Sequence, residues 1–294
     1  MTGENLTGHW PNRRMQDSAG HSKVRAQVWA VEAGQGRSRI DQLAVEEPLE
    51  IRLTHPRRTL AITMRTPGAD FELTAGFLYS EGIVSNRADL RQLSYCVDPQ
   101  VDGEQRQNIV NVSLQEGCNP ELRSLERHFY TTSACGVCGK ASLEALQLRP
   151  IPPISPGPIV SAATICRLPA TLRSHQKVFS ATGGLHAAAL FDAEGTLLSV
   201  KEDVGRHNAL DKLVGNAFLA GTLPWRDRIV LVSGRSSFEI LQKSLMAGAP
   251  IVCAVSAPSS LAVSLAEAFG ITLVGFVRGD RFNLYSHPKR IQFG

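Results

Sequence analysis

Short apolar strands alternate with helical segments in the second half of the chain, and this rhythm constrains the fold more than any other feature. The apolar runs RIVLVSG, PIVCAVSA and TLVGFVRG are preceded and separated by segments with helical periodicity, RHNALDKLVGNAFLAG, SFEILQKSLMAG and SLAVSLAEAFG. Continuous apolar strands joined by helices are typical of a largely parallel sheet with both faces covered. The sequence therefore predicts a three-layer α/β/α domain over residues 161–294.

Residues 24 to 114 show a different, alternating pattern. The runs PLEIRLTH, TLAITMRT, LSYCVD and NIVNVSLQ predict strands. The segment DFELTAGFLYSEGI predicts one helix among them, with Asp70 as its N-cap. We expect a small antiparallel sheet packed by a helix, and hence a smaller N-terminal α+β domain over residues 23–147.

Two segments lie outside these domains. LRPIPPISPGPIV holds five prolines, which fix φ and remove backbone donors, so residues 148–160 are predicted to form a linker. Residues 1–22 are polar and lack the apolar centre of a signal peptide. They predict a disordered leader on a cytoplasmic protein.

Charge and hydropathy narrow the classes of function. The chain carries 31 Lys and Arg against 27 Asp and Glu, a net charge of +4. This mild excess falls short of the basic stripe typical of nucleic-acid binding, and no apolar run approaches the ~20 residues of a membrane helix. Neither GxGxxG nor GxxxxGK[ST] occurs, which argues against a Rossmann site or a P-loop. A local site for an anionic ligand stays open.

Cys135 and Cys138 form a CxxC in the segment TTSACGVCGK, flanked by Gly136 and Gly139. A structural zinc site needs four ligands, and the nucleobase deaminases pair an HxE with a PCxxC; both patterns are incomplete here. A thioredoxin-like redox motif needs a strand-to-helix context that this segment lacks. A persulfide carrier needs a thiolate on a pliable loop, which the glycines favour. The spacing alone does not distinguish a persulfide carrier from a loop with two unrelated thiols.

Polar loops follow two of the predicted parallel strands. SGRSSFEI places Gly234 and Arg235 before a helix, and SAPSSLAV places Ser256 and Ser259 in the same position. Helix amino ends, glycine and arginine together suit an anion. Loops after neighbouring parallel strands face one crevice, so we expect an anion site there, with ordinary serine capping as the alternative.

Three further segments carry candidate ligand contacts. VKEDVGRHNALDK holds more hydrogen-bonding groups than a solvated face requires, although a charged helix start with a His207–Asp211 pair would also explain them. His186 follows a Gly-Gly turn and is either a ligand contact or a buried histidine. Arg278 and Arg281 follow the apolar strand in GFVRGDRFNLYSHP and face the same sheet edge.

SACGVCG, ATGGLHAAAL, EDVGRHNALDK, SGRSSFEI, SAPSSLAV and GFVRGDRFNLYSHP occur in the order found in one family. From about Pro48 onward the sequence resembles the FdhD family (FdhD/NarQ type), the formate dehydrogenase accessory sulfurtransferases. The resemblance implies a sulfurtransferase that accepts persulfide sulfur from a cysteine desulfurase. The acceptor would be the molybdenum cofactor, bis(molybdopterin guanine dinucleotide), which formate dehydrogenase requires.

The resemblance also implies particular residues and a particular scaffold. Cys135 would bear the persulfide and Cys138 would assist. The segment that would bind the cofactor, as a substrate and with no metal held directly by the protein, is Phe276, Val277, Arg278, Gly279, Asp280 and Arg281. To it we add Gly234, Arg235, Ser256, Ser259 and His186. The scaffold would be a cytidine-deaminase-like α/β domain, and the protein a homodimer.

Two other functions are weighed against sulfur transfer. A chaperone could bind the molybdenum cofactor and pass it on without moving sulfur. A zinc-dependent deaminase is the least favoured, because the HxE is missing.

Overall fold

The computed structural model describes residues 21–118, 146, 151 and 153–293. The strands within these ranges are β1 (Lys23–Glu32), β2 (Gln35–Ala44), β3 (Glu47–Leu53), β4 (Arg58–Arg65), β5 (Leu90–Tyr95), β6 (Ile109–Leu114), β7 (Val160–Ser161), β8 (His186–Phe191), β9 (Leu197–Asp203), β10 (Ile229–Val232), β11 (Ile251–Ala254), β12 (Thr272–Arg278), β13 (Arg281–Ser286) and β14 (Ile291–Gln292). The helices there are α1 (Asp70–Ser80), α2 (Gly103–Arg106), α3 (Ala162–His175), α4 (Lys177–Thr182), α5 (Arg206–Leu219), α6 (Phe238–Met246) and α7 (Ser260–Phe269), with 3₁₀ turns at Arg87–Asp89 and Pro288–Arg290. None of these helices is both long and apolar enough to cross a membrane.

The six-stranded sheet has the order β13-β12-β11-β10-β8-β9. The central strands β10, β11 and β12 run parallel, as their apolar sequences predict. The hairpins β8–β9 and β12–β13 add antiparallel pairs, and β8 is also antiparallel to β10. The prediction of a largely parallel sheet is therefore wrong, because hairpins flank the parallel strands and make the sheet mixed.

Helices cover both faces of this sheet, and successive residues of each strand point to opposite sides. Leu231 and Cys253 belong to an apolar cluster with Ile165 of α3. Their neighbour Val230 belongs to the cluster on the other face, with Leu210 of α5 and the apolar residues of α6 and α7. The predicted helices α5, α6 and α7 are thus confirmed on one face.

The four-stranded sheet has the order β4-β3-β6-β5. Its pairs β3–β4 and β5–β6 are antiparallel, as predicted, but β3 and β6 are parallel. The prediction that Asp70 caps helix α1 is also wrong. Ala69 is the N-cap, and the Asp70 carboxylate accepts two hydrogen bonds from the buried Arg65, at 3.0 and 3.1 Å.

Helices α1 and α5 cross at two glycines and join the two sheets. A Cβ atom at Gly76 would overlap the backbone of Asp211, and one at Gly215 would overlap the backbone of Glu72. Only glycine allows so close an approach. Around this crossing one apolar cluster extends from the four-stranded to the six-stranded sheet. The division into two domains stays a prediction.

Helix α3 was not predicted, because Pro169 lies within it. Proline removes a backbone hydrogen bond and usually ends a helix. Here Ile165, Leu168 and Leu172 are buried against the sheet, and Ser161 caps the amino end by accepting a hydrogen bond from the Thr164 N–H at 3.1 Å. Tertiary packing therefore outweighs the proline.

Residues 153–159, in the predicted linker, form neither helix nor strand. The Arg290 guanidinium holds this segment by donating to the carbonyl of Pro156 at 2.6 Å and that of Ser155 at 2.9 Å. The next residue, Val160, then pairs in parallel with Ile291. The segment is thus anchored to residues close to the carboxyl end of the chain.

Candidate functional site

The two predicted polar loops lie side by side at one edge of the six-stranded sheet, where β10, β11 and β12 end. The Ser236 N–H donates to the Ala257 carbonyl at 3.2 Å, and the Ser259 N–H donates to the Ser236 carbonyl at 2.9 Å. The Phe276 N–H donates to the Ser256 carbonyl at 3.2 Å. The expectation that these loops share one edge is confirmed.

The predicted cofactor-binding segment forms the β12–β13 hairpin at this edge. Phe276 has a left-handed backbone, with φ of 54°, and its side chain is 36% exposed. The Arg278 guanidinium lies 5.9 Å from the Phe276 ring centroid, and Arg278 pairs with Arg281 across the turn at 279–280. Val277 is fully buried in the core, so it can offer a ligand only its backbone.

The other predicted ligand residues divide by exposure. Arg235 is exposed, whereas Gly234 and Ser256 are half-buried. Ser259 is the N-cap of α7 and accepts a hydrogen bond from the Ala262 N–H at 3.2 Å. The capping alternative is therefore confirmed for Ser259.

His186 joins the same edge from the amino end of β8, because β8 runs antiparallel to β10. A Cβ at Gly234 would lie 3.3 Å from the His186 Nδ1 and 3.6 Å from the Arg206 Cδ, so these residues adjoin. Burial lowers the pKa of His186, and the positive charges of Arg206 and His207 lower it further. The lowered pKa favours the neutral form of the His186 imidazole.

A cavity of about 580 Å³ opens beside His186. Ser233 and Val255, which directly follow β10 and β11, line it from the sheet. Arg173 and Phe179 line it from helices α3 and α4, with the guanidinium 3.9 Å from the ring centroid. The edge therefore has room for a small ligand next to the polar loops.

Arg206 is a functional candidate that the sequence-based selection of site residues omitted. It is the first residue of α5 and is half-buried. Its Nε is enclosed and has no hydrogen-bond partner within the described part of the chain, and the buried Ser236 Oγ in the adjacent loop has none either. The sequence signal was its position in EDVGRHN, directly after a strand and at the start of a helix.

His207 contacts one residue of α6 and the N-cap of that helix. Its Nε2 lies 3.1 Å from the Ser237 Oγ and 2.9 Å from a Glu239 carboxylate oxygen. The hydrogen bond with His207 lowers the pKa of Glu239 to about 2, despite the opposing effect of desolvation. A serine, histidine and acid relay uses both imidazole nitrogens, whereas here both partners share Nε2. The arrangement positions charge and does not activate Ser237.

Other polar groups of the VKEDVGRHNALDK segment are buried and fully engaged. The Lys212 Nζ lies 2.7 Å from the Asp203 carboxylate and donates to the Thr66 carbonyl at 2.8 Å. Asn208 donates to the carbonyl of Met64 at 2.7 Å. These groups fasten the β9–α5 turn to the end of β4, so they act in the structure of the protein.

The pair suggested between His207 and Asp211 is replaced by another. Asp211 is buried and lies 2.9 Å from the Lys243 Nζ, with Ser80 donating a hydrogen bond to it at 3.2 Å. Desolvation raises the pKa of Asp211 although Lys243 opposes this. The ion pair links α5 to α6.

Cys135 and Cys138 lie outside the described residues. Of the other cysteines, Cys96 and Cys253 are buried, and desolvation raises the pKa of Cys253. Desolvation also raises the pKa of the half-buried Cys118 and Cys166. The raised pKa values of Cys118, Cys166 and Cys253 disfavour their thiolates. Within the described ranges, no three His, Cys, Asp or Glu residues are grouped so that they could hold a metal ion.

A model of the FdhD/NarQ family matches residues 44–292. The chain belongs to the FdhD/NarQ family. The relatives that carry the name "Sulfur carrier protein FdhD" include the following three. The one from Mycolicibacterium paratuberculosis is 54% identical over 269 residues, covering 91% of this chain and 98% of its own. The one from Streptomyces coelicolor is 50% identical over 274 residues, covering 92% and 96%. The one from Sulfolobus acidocaldarius is 44% identical over 267 residues, covering 91% and 98%.

The fold is also similar to a solved structure. A protein from Desulfotalea psychrophila, assigned as a formate dehydrogenase accessory protein, superposes with a TM-score of 0.71 at 24% identity. The match covers 92% of this chain and 99% of that one. The mixed α/β fold of the FdhD/NarQ family is therefore shown for this chain, and the resemblance inferred from the sequence motifs is confirmed. The roles assigned to individual site residues stay predictions.

Proposed function

We propose that this protein is a sulfur carrier that serves formate dehydrogenase, taking persulfide sulfur from a cysteine desulfurase to the molybdenum cofactor. The observation that carries the proposal is the 44–54% identity to proteins named as sulfur carriers over nearly the whole length of both chains. The CxxC at Cys135 and Cys138 supplies the thiols that such a carrier needs.

The proposed loading step is thiol exchange. The Cys135 thiolate attacks the terminal sulfur of the donor's persulfide, the donor's sulfur–sulfur bond breaks, and the donor cysteine leaves as a thiolate. Cys135 then carries the sulfur as a persulfide. An attack by the Cys138 thiolate on the Cys135 sulfur would release hydrosulfide to the acceptor and leave a disulfide. A small thiol reductant would restore that disulfide to two thiols.

The proposed acceptor, bis(molybdopterin guanine dinucleotide), is a substrate bound at the sheet edge. The exposed Phe276 ring can stack on a guanine base, since aromatic side chains stack on nucleobases. Arg278, Arg281 and Arg235 lie at the same edge and can hold phosphate oxygens. This proposal includes a cytidine-deaminase-like scaffold, a homodimer and a cytoplasmic location.

The test of sulfur loading is the intact mass of the protein after incubation with a cysteine desulfurase and cysteine. We expect the wild type to gain about 32 Da per sulfur, reversibly with reductant. Cys118→Ala, which removes a half-buried cysteine elsewhere, should gain the same mass. Cys135→Ala should gain nothing. A gain in Cys135→Ala equal to the wild type would refute the assigned carrier residue.

A cofactor chaperone that moves no sulfur is the second candidate, and the polar edge favours it because that edge needs no cysteine. The two candidates differ in a strain that lacks its own accessory protein. A chaperone would restore formate dehydrogenase activity with Cys135→Ala but not with Arg278→Ala. A sulfur carrier would fail with Cys135→Ala.

A further inference from the structure

The Arg206 guanidinium carries a charge that the described part of the protein leaves unpaired. Its nitrogens make no hydrogen bond, and no carboxylate among the described residues lies within ion-pair distance. A half-buried arginine without an acceptor is unfavourable, because its N–H groups have lost part of their water. Its environment is therefore incomplete without a further acceptor.

The carboxylates near Arg206 are engaged elsewhere. Asp203 lies 2.7 Å from the Lys212 Nζ and accepts a hydrogen bond from the Gly205 N–H at 2.8 Å. Glu239 lies 2.9 Å from the His207 Nε2. Arg206 influences the pKa of Glu239 through space, but it does not pair with it. Neither carboxylate is therefore the ion-pair partner of Arg206.

The surroundings of Arg206 present donors to the same space. A Cβ atom built at Gly234 would lie 3.6 Å from the Arg206 Cδ and 3.3 Å from the His186 Nδ1, so the three residues adjoin. The amino ends of α5 and α6 are adjacent, because His207 of α5 contacts Ser237, the N-cap of α6. Ser237 makes no capping hydrogen bond, so its hydroxyl leaves the first N–H groups of α6 unoccupied by that side chain.

We propose that Arg206, the backbone at Gly234 and the amino end of α6 form a subsite for a phosphate or pyrophosphate group. A guanidinium matches phosphate with two parallel hydrogen bonds, and a helix amino end adds further donors. Because Gly234 has no side chain, His186 and Arg206 can pack directly against its backbone. The neutral His186 can donate one N–H from the side of the adjoining cavity.

The identity of the ligand rests on the proposed function. The phosphates would be those of the guanine dinucleotide, bound with Phe276 and Arg278 two strands away on the same sheet edge. Free inorganic pyrophosphate has the same chemistry, so the test includes both sources.

The test is calorimetric titration of the full chain with GDP, guanosine and inorganic pyrophosphate. Arg206→Ala should weaken the binding of GDP and of pyrophosphate by about tenfold or more, since a hydrogen-bonded charge is lost. Guanosine, which has no phosphate, should bind equally to both. Arg206→Lys should restore part of the affinity, because it keeps the charge but not the fork.

Arg226→Ala is the matched control. Arg226 is exposed and precedes β10, whereas Gly234 follows that strand, so the control removes the same charge at the opposite edge. It should bind all three ligands as the wild type does. Wild-type affinity of Arg206→Ala for GDP and pyrophosphate would overturn the subsite, and so would an equal loss of guanosine binding.

The subsite and the sulfur-carrier function can fail separately. Arg206-dependent pyrophosphate binding without any gain of sulfur on Cys135 would support the subsite and refute the carrier function. A gain of sulfur on Cys135, together with a GDP affinity that Arg206→Ala leaves unchanged, would support the carrier function and refute the subsite.

Discussion

The polar residues of one segment, VKEDVGRHNALDK, fall into two sets with opposite surroundings. Asp203, Asn208 and Lys212 are buried, and each hydrogen-bonds to another part of the chain. Arg206, between them in sequence, faces the sheet edge and has no partner in the described residues. Buried polar groups that are fully bonded hold a structure together, whereas an enclosed polar atom without a partner calls for an explanation, such as a ligand. Burial and bonding, and not charge, separate the two roles.

The largest loss of stability should come from a substitution in the buried set, Asp203, Asn208 and Lys212. Lys212→Met leaves the Asp203 carboxylate buried without its cation, so we expect unfolding free energy to fall by about 3–5 kcal/mol. Urea unfolding measures the loss. Arg206→Met, the same change at the edge, should cost less than about 1 kcal/mol. Similar losses in the two variants would contradict the distinction between the buried set and Arg206.

A smaller loss of stability should follow from widening the crossing of α1 and α5. Helix α5 carries Asn208 and Lys212 of the buried set. In Gly215→Ala the new methyl group would overlap the Glu72 backbone, so the helices must separate. We expect unfolding free energy to fall by about 1–3 kcal/mol. Gly103→Ala places a methyl group in open space and serves as the control. If the two variants are equally stable, the crossing does not depend on glycine.

The smallest effect on stability concerns His186, which adjoins Arg206 at the sheet edge, and it depends on pH. The pKa of His186 is lowered from 6.5 by burial, Arg206 and His207, while Asp203, itself paired with Lys212, opposes the shift. The folded state therefore binds this proton less well than the unfolded state, so stability falls as the pH falls below 6.5. His186→Gln should lose less stability than the wild type between pH 7.5 and pH 5.5.

The same imidazole reports on the proposed anion. Pyrophosphate bound near Arg206 should raise the pKa of His186, because a negative charge favours the imidazolium. An NMR titration of the histidine ring with and without pyrophosphate measures this change. A pKa that does not move would place the anion away from His186.

The sequence predicted most strands and helices but only some of the strand pairings. Periodicity reports which face of an element is buried, and this identified four helices and seven strands: α1, α5, α6, α7, β3, β4, β5, β6, β10, β11 and β12. It carries no information on the partner of a strand, so the parallel pairing of β3 with β6 was missed. Helix α3 was missed because Pro169 lies within it. Packing against the sheet outweighs the low helix propensity of proline there.

The candidate site was predictable only where it follows local sequence. Gly234 and Ser256 were found because polar turn residues follow apolar strands, and that order places them at one edge. The difference between Arg206 and Lys212 was not visible, since both are cations on one helix. Only the tertiary structure shows that Lys212 meets Asp203 while Arg206 meets no carboxylate of the described residues.

The parallel pair between Val160 and Ile291 also bears on how the chain is made. Its partners are far apart in sequence, and closing so long a loop costs entropy that only late contacts repay. Residues 153–160 cannot dock until Arg290 and Ile291 have been synthesised. We therefore expect this segment to stay open to proteases on a nascent chain, long after the strands before it have paired.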